Sequence, residues 1–263
     1  MTPPLSVGVS LKMYFGHARA QDWLRAVAAR LGAHPALVAG EVELFVIPSF
    51  VSVPGAVSAF AGTSVLVGAQ DVAATEPGPF TGEVSALELA EAGLRVVEIG
   101  HAERRRLFGE DDAVVAAKTA RALSHGLVPV LCVGEEQRLE PAEALAAVRG
   151  QLESALQGAP AGRVIVAYEP VWAIGAAEPA PAAHIRAVCR GLREAVAGFI
   201  GRPHSRVIYG GSAGPGLLTA LGGDVDGLFL GRFAHDVAAL EAVVDEAARR
   251  VRSTGSAISV PER

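Results

Sequence analysis

A glutamate, a histidine and a lysine each stand at or just past the end of a short apolar run in this chain: Glu169, His101 and Lys12. A carboxylate can take a proton, an imidazole can donate a hydrogen bond to a carbonyl oxygen, and an ammonium can hold the negative charge that then develops. Glu169 follows Val164-Ile165-Val166 within Ala167-Tyr168-Glu169-Pro170-Val171-Trp172-Ala173-Ile174-Gly175. Short continuous Val/Ile runs read as parallel strands buried on both faces, and in a (β/α)8 barrel the C-terminal ends of such strands build the active site. The residues after Glu169 have the composition of a lid. Pro170 restricts the hinge, Trp172 supplies an apolar anchor, and Gly175 lets a backbone N–H approach a ligand with no Cβ in the way. Taken alone, a Glu before a Pro reads equally well as a strand terminus.

His101 lies in Val97-Glu98-Ile99-Gly100-His101-Ala102-Glu103-Arg104-Arg105. If a helix begins just after it, the helix's positive end disfavours imidazolium and keeps the ring neutral. A lone histidine also serves commonly as a cap or core residue. Lys12, in Gly8-Val9-Ser10-Leu11-Lys12-Met13, would point its ammonium into the same mouth, where a compact cation neutralises a phosphate and an enediolate oxygen. Most lysines are solvated surface groups, so position is the reason to single this one out. Tyr209-Gly210-Gly211-Ser212 and Leu230-Gly231-Arg232 are small-residue turns after the seventh and eighth apolar runs, where barrel enzymes often bind phosphate. His17, His34, His125, His184, His204 and His235 show no metal-like grouping and are assigned to structure or solvent.

Eight strand-like runs recur at 5–9, 42–47, 64–67, 96–99, 128–133, 164–168, 207–209 and 227–230. Between them lie segments at helical spacing, among them 18–31, 84–92, 111–124, 141–156, 181–196 and 236–251. Alternation of this kind demands parallel crossovers, and eight strand–helix units can close into a single-domain barrel over residues 1–252. Periodicity alone leaves an open doubly wound sheet possible. The polar, turn-rich residues 253–263 read as a loosely held tail. A length of 263 residues suits one α/β barrel, and 51% hydrophobic with 19% charged residues suits a sheet buried on both faces. A net charge of −5 gives no support for nucleic acid, and the basic cluster Arg104-Arg105-Arg106 is short. No apolar run reaches the roughly 18 residues that span a bilayer, and no charged leader precedes an apolar core, so no membrane is expected. Cys132 and Cys189 read as buried reduced thiols, which points to the cytoplasm.

Together these residues resemble the triosephosphate isomerase family from the first strand to the last helix. Val67-Gly68-Ala69-Gln70, Phe80-Thr81-Gly82-Glu83 and Cys132-Val133-Gly134-Glu135 stand in the family's order beside the motifs above. The resemblance implies a TIM barrel in which Glu169 is the base, His101 the neutral electrophile and Lys12 the charge stabiliser. The family's Glu and His are a known example of pKa tuning, so these roles are carried over rather than found. It implies further that N–H groups of Gly175, Ser212 and Gly231 hold a phosphate. Residues 71–83 would form a loop inserted into a partner subunit, giving a homodimer. The implied reaction is a proton transfer that needs no cofactor or metal, expected to convert glyceraldehyde 3-phosphate and dihydroxyacetone phosphate, with a place in glycolysis and gluconeogenesis. The departures concern the substrate's surroundings. Ser10 and Tyr14 stand where the family usually has Asn, Ala102 where it has Ser, Arg232 where it has a second Gly, and Ala176-Ala177-Glu178-Pro179 where it has Thr-Gly-Lys-Thr. A paralogue acting on a four-carbon ketose phosphate is the second reading, and an inactive phosphate-binding barrel the third. On the four-carbon reading Ser10 leaves room for an extra hydroxymethyl group, and Arg232 is a phosphate ligand.

Overall fold

The computed structural model describes residues 5–257. Its eight strands follow one another round a closed barrel: β1 (Leu5–Ser10), β2 (Val42–Ile47), β3 (Leu66–Ala69), β4 (Val96–Ile99), β5 (Val128–Val133), β6 (Ile165–Tyr168), β7 (Arg206–Tyr209) and β8 (Gly227–Leu230). β1 closes the ring against β8 in parallel register, from Ser6 opposite Gly227 to Val9 opposite Leu230. The helices are α1 (His17–Leu31), α2 (Pro35–Val38), α3 (Val53–Ala59), α4 (Ala86–Glu91), α5 (Ala102–Phe108), α6 (Asp112–Ser124), α7 (Pro141–Leu156), α8 (Ala182–Gly198), α9 (Leu217–Leu221) and α10 (Val237–Ala257). No helix among the described residues is long and apolar enough to cross a membrane.

Strand alternation divides the apolar residues into two cores. Leu5, Val7 and Val9 of β1 join the large core between sheet and helices. Phe45, Ile47, Val96, Val130, Cys132, Ile165, Ala167, Ile208 and Phe229 fill the barrel itself. Polar side chains occupy its two ends. At the N-terminal end Ser6 donates to Glu43 (3.0 Å), and Arg163 grips the same carboxylate with two nitrogens at 2.7 and 2.6 Å. Burial works against charge on Glu43, but Arg163 outweighs it and holds the carboxyl below its ordinary range.

Several boundaries differ from the sequence expectation. β3 lies two residues later than 64–67, because its ladder to β4 uses Gly68 and Ala69, residues too small to mark a hydrophobic run. Helices α3, α5 and α9 span 7, 7 and 5 residues, too few turns for a 3.6-residue period to stand out. α10 runs past residue 252 to Ala257, since Ser253 and Thr254 bond back to the carbonyl of Arg250 instead of turning the chain. The rest of the expected tail lies outside the described residues. Two arginines of the basic cluster are paired within the fold, and Arg106 is exposed and lines the cavity described below. Arg104 pairs with Asp71 and Glu110, Arg105 with Asp112, and the buried Lys118 with Asp71 (2.6 Å) and Glu110 (2.5 Å).

Candidate active site

Glu169 is the first residue past β6, its N–H bonded to the carbonyl of Val133 (2.8 Å). Its carboxylate lies over Gly210, where an added Cβ would stand 2.4 Å from Oε1, so the glycine gives the carboxylate its place. His101 ends the segment after β4 and caps α5: the Glu103 N–H donates to Nδ1 at 3.1 Å. An Nδ1 that accepts this bond carries no hydrogen, which puts the ring's N–H on Nε2. Nε2 faces Glu169 Oε2 across 3.5 Å, and both atoms are buried without a hydrogen-bond partner. Two unmet polar groups facing each other suit a molecule that offers one an acceptor oxygen and the other a proton.

Lys12 follows β1 with φ +49°, a conformation that costs a non-glycine residue on the order of 1–3 kcal/mol. Gln70 stabilises it by donating from one amide nitrogen to the carbonyls of Lys12 (3.0 Å) and Ile47 (3.3 Å). The ammonium bonds Glu103 Oε1 at 2.8 Å. Burial disfavours the charged amine, but the Glu103 hydrogen bond and the charges of Glu169, Glu103 and Glu98 outweigh it and raise Lys12 above its usual value. Glu103 shifts the opposite way: burial would raise it, and the Lys12 hydrogen bond and charge bring it lower. Ser10, the last residue of β1, donates to Glu98 Oε2 at 2.7 Å, and both side chains are buried.

The lid after Glu169 is held at several points. Trp172 donates to Glu135 (2.8 Å), which also accepts from Tyr168 (3.1 Å). At the far end the N–H of Ala180 donates to Tyr209 Oη at 3.1 Å, and burial, the largest influence, pushes that hydroxyl up to about 12. Ser212 Oγ donates to the carbonyl of Ala176 (2.5 Å). Arg232 Nη2 reaches the carbonyl of Gly175 at 3.4 Å, while Gly175 holds φ +73°, which a side chain would strain. The guanidinium is exposed at the rim, beside the lid.

All eight expected site residues, Ser10, Lys12, His101, Glu169, Gly175, Ser212, Gly231 and Arg232, line one cavity of about 1090 Å³. A space of that size admits three- and four-carbon chains alike. Sequence reasoning gave no role to Glu98, Gln70, Glu103 or Glu135. Glu98 was visible as a carboxylate inside an apolar run, whereas the partners of the other three come from distant strands.

The model of the family described as triosephosphate isomerase matches residues 5–247. The chain is 52% identical over 247 residues to the L-erythrulose-1-phosphate isomerase of Pectobacterium atrosepticum, covering 92% of this chain and 95% of that protein. It is 42% identical to a Rhizobium etli protein of the same name (88% of each) and 39% identical to the triosephosphate isomerase of Thermoanaerobacter pseudethanolicus (75% and 83%). The crystal structure of triosephosphate isomerase from Bartonella henselae superimposes with a TM-score of 0.78 at 30% identity, over 93% of this chain and 99% of that one. A closed barrel with a base, an imidazole and a cation at its mouth, matched by family and relatives over almost its whole length, places this chain in the triosephosphate isomerase family.

Proposed function

We propose that the protein isomerises a four-carbon ketose phosphate, L-erythrulose 1-phosphate, with triose phosphate as a poorer substrate. The observation that carries the choice of substrate is the 52% identity, nearly end to end, with a relative named for that compound, against 39% for a triosephosphate isomerase. This reverses the order expected from sequence, and the glycolytic placement attached to triose phosphate weakens with it.

The geometry supports the following roles. Glu169 takes the proton from the carbon beside the carbonyl. That electron pair becomes the carbon–carbon double bond of an enediolate, and the carbonyl oxygen takes up negative charge facing His101 Nε2–H and the Lys12 ammonium. His101 Nε2–H gives its proton to that oxygen and takes one from the neighbouring hydroxyl, which becomes the new carbonyl as Glu169 returns its proton to the former carbonyl carbon. The phosphate is held by N–H groups of Gly175, Ser212 and Gly231 and by Arg232, which fixes the chain's direction. With the phosphate on C1 of a tetrulose, the carbons joined in this exchange are C2 and C3. The carbonyl therefore moves from C2 to C3, and the product is the corresponding ketose 4-phosphate. The same exchange in a triose ends at the terminal carbon and yields an aldose.

A homodimer is supported by apolar side chains left in water around the mouth: Met13 (93% exposed), Val51 (76%), Phe80 and Phe108. The buried free thiols Cys132 and Cys189 suit the cytoplasm. Incubation of the purified enzyme with L-erythrulose 1-phosphate and with dihydroxyacetone phosphate in D2O, followed by NMR, tests the substrate. The four-carbon compound is expected to exchange and isomerise with the higher kcat/KM. Turnover of the triose alone would reject it.

A further inference from the structure

β1 carries two serine–glutamate pairs inside the barrel, and they are chemically unlike. At the lower end Ser6 bonds Glu43, whose charge Arg163 neutralises. At the upper end Ser10 bonds Glu98, and among the described residues no cation pairs with that carboxyl within salt-bridge distance; Ser10 is its hydrogen-bond partner. Glu98 projects from β4 on the same face as Val96, beneath the mouth, and the proton exchange described above gives it no task. The titratable groups facing it are Glu169 after β6, His101 after β4, Lys12 after β1 and Cys132 on β5. A second buried carboxyl beside a catalytic one is costly to keep unless something depends on it.

Ser10, Cys132 and Phe229 all line the cavity, with Phe229 and Cys132 also belonging to the apolar filling below it. Of these three, Ser10 is the one whose oxygen forms a strong hydrogen bond. With its own hydrogen directed to Glu98, the Ser10 oxygen keeps lone pairs for an incoming O–H. A chain fixed by its phosphate under the β7 and β8 loops, with its reacting carbons between His101 and Glu169 as proposed above, would have this floor open to its remaining end.

We propose that Glu98, acting through Ser10, is a positioning residue that sets substrate choice: the pair accepts the terminal hydroxyl that a tetrulose phosphate has and a triose phosphate lacks at that place. The inference rests on the four-carbon reading above. Burial, aided by the charge of Glu169 and opposed by His101, Ser10 and Lys12, raises Glu98 above the ordinary carboxylate range, so its neutral form is favoured more than at a free carboxyl. Glutamine, which keeps the length and an acceptor for Ser10, should therefore replace it with little loss.

The test measures kcat and KM for L-erythrulose 1-phosphate and dihydroxyacetone phosphate in wild type, Ser10→Ala, Glu98→Leu, Glu98→Gln and Ser10→Ala/Glu98→Leu. Ser10→Ala and Glu98→Leu should each raise KM for the four-carbon substrate about tenfold more than for the triose, the size expected for one lost hydrogen bond in a pocket. The double variant should be no worse than either single one, because Glu98 acts through Ser10, and Glu98→Gln should restore the preference. Equal losses on both substrates, or single effects that multiply, would overturn the proposal. Should Glu98→Leu fail to fold, Ser10→Ala decides: an unchanged ratio of the two KM values rejects the role. A wild type inert toward the four-carbon substrate defeats the functional reading first, whereas an active wild type whose variants keep its preference defeats the role of Glu98 alone.

Discussion

His101 Nε2 and Glu169 Oε2 face each other at 3.5 Å, each buried and each without a hydrogen-bond partner. The carboxylate's reach is set from two sides, by the backbone bond to Val133 and by the floor at Gly210. Shortening the side chain moves the base by about 1 Å and nothing nearby can follow. Glu169→Asp is therefore expected to keep the fold and ligand affinity but lose on the order of 10²-fold in kcat. Nearly wild-type turnover in that variant would remove Glu169 from the mechanism.

Arg232 lies at the rim with Nη2 3.4 Å from the carbonyl of Gly175, too long for a strong bond, and on the proposed reading it binds the phosphate. Arg232→Gly should raise KM for the phosphorylated substrate about tenfold, the usual size for one hydrogen bond to a charged group, and leave kcat close to wild type. A fall in kcat with KM unchanged would instead make this residue a latch for the lid.

The Lys12–Glu103 pair has a defined pH range. Lys12 is raised in the folded protein, so its contribution to stability is complete below the ordinary lysine value of 10.5 and is lost as pH climbs through the higher folded value. Glu103 is lowered, so its contribution is present above the ordinary value of 4.5 and is lost as pH drops through the lower folded value. The pair should persist across the whole interval between these limits. NMR titration with 13C-labelled lysine is expected to show Lys12 titrating above 10.5 and moving down in Glu103→Gln. A midpoint that ignores that substitution would rule out Glu103 as its cause.

Phe80, at the tip of the loop after β3, is 45% exposed, and Met13 next to the strained Lys12 is almost fully so. Light scattering at micromolar concentration should give twice the chain mass, and Met13→Asp should shift the protein toward monomer. A fully active monomeric wild type would refute the dimer.

The three principal residues were legible because each ends an apolar run, and a polar residue at a strand end is a signal carried by adjacent letters. Periodicity could not tell that the sheet closes; the family resemblance implied it, and the eight strands do close. Closure is what turns the alternation of Val97, Glu98 and Ile99 into a buried carboxyl opposite Ser10. Nor could it pair Glu103 with Lys12, since the salt bridge links chain segments 91 residues apart and Glu103 sits beside three arginines. The polar end of α10 misled for a local reason: Ser253 and Thr254 favour turns, yet their hydroxyls also bond helix carbonyls. The lid's holds on Tyr209 and Ser212 are meetings of residues 29 and 36 positions apart that no local pattern encodes.

Lys12 and Lys118 are the only two lysines in the chain, and arginine supplies the other basic side chains. Lys118 is enclosed by Asp71 and Glu110, which leaves the barrel mouth as the one place where a lysine side chain meets solvent. Amine-directed reagents thus become reporters of occupancy. Acylation of Lys12 should proceed in the free enzyme, slow in step with the filling of the mouth by a phosphorylated ligand, and abolish activity when complete. A covalent coupling scheme that uses lysine side chains would inactivate this enzyme.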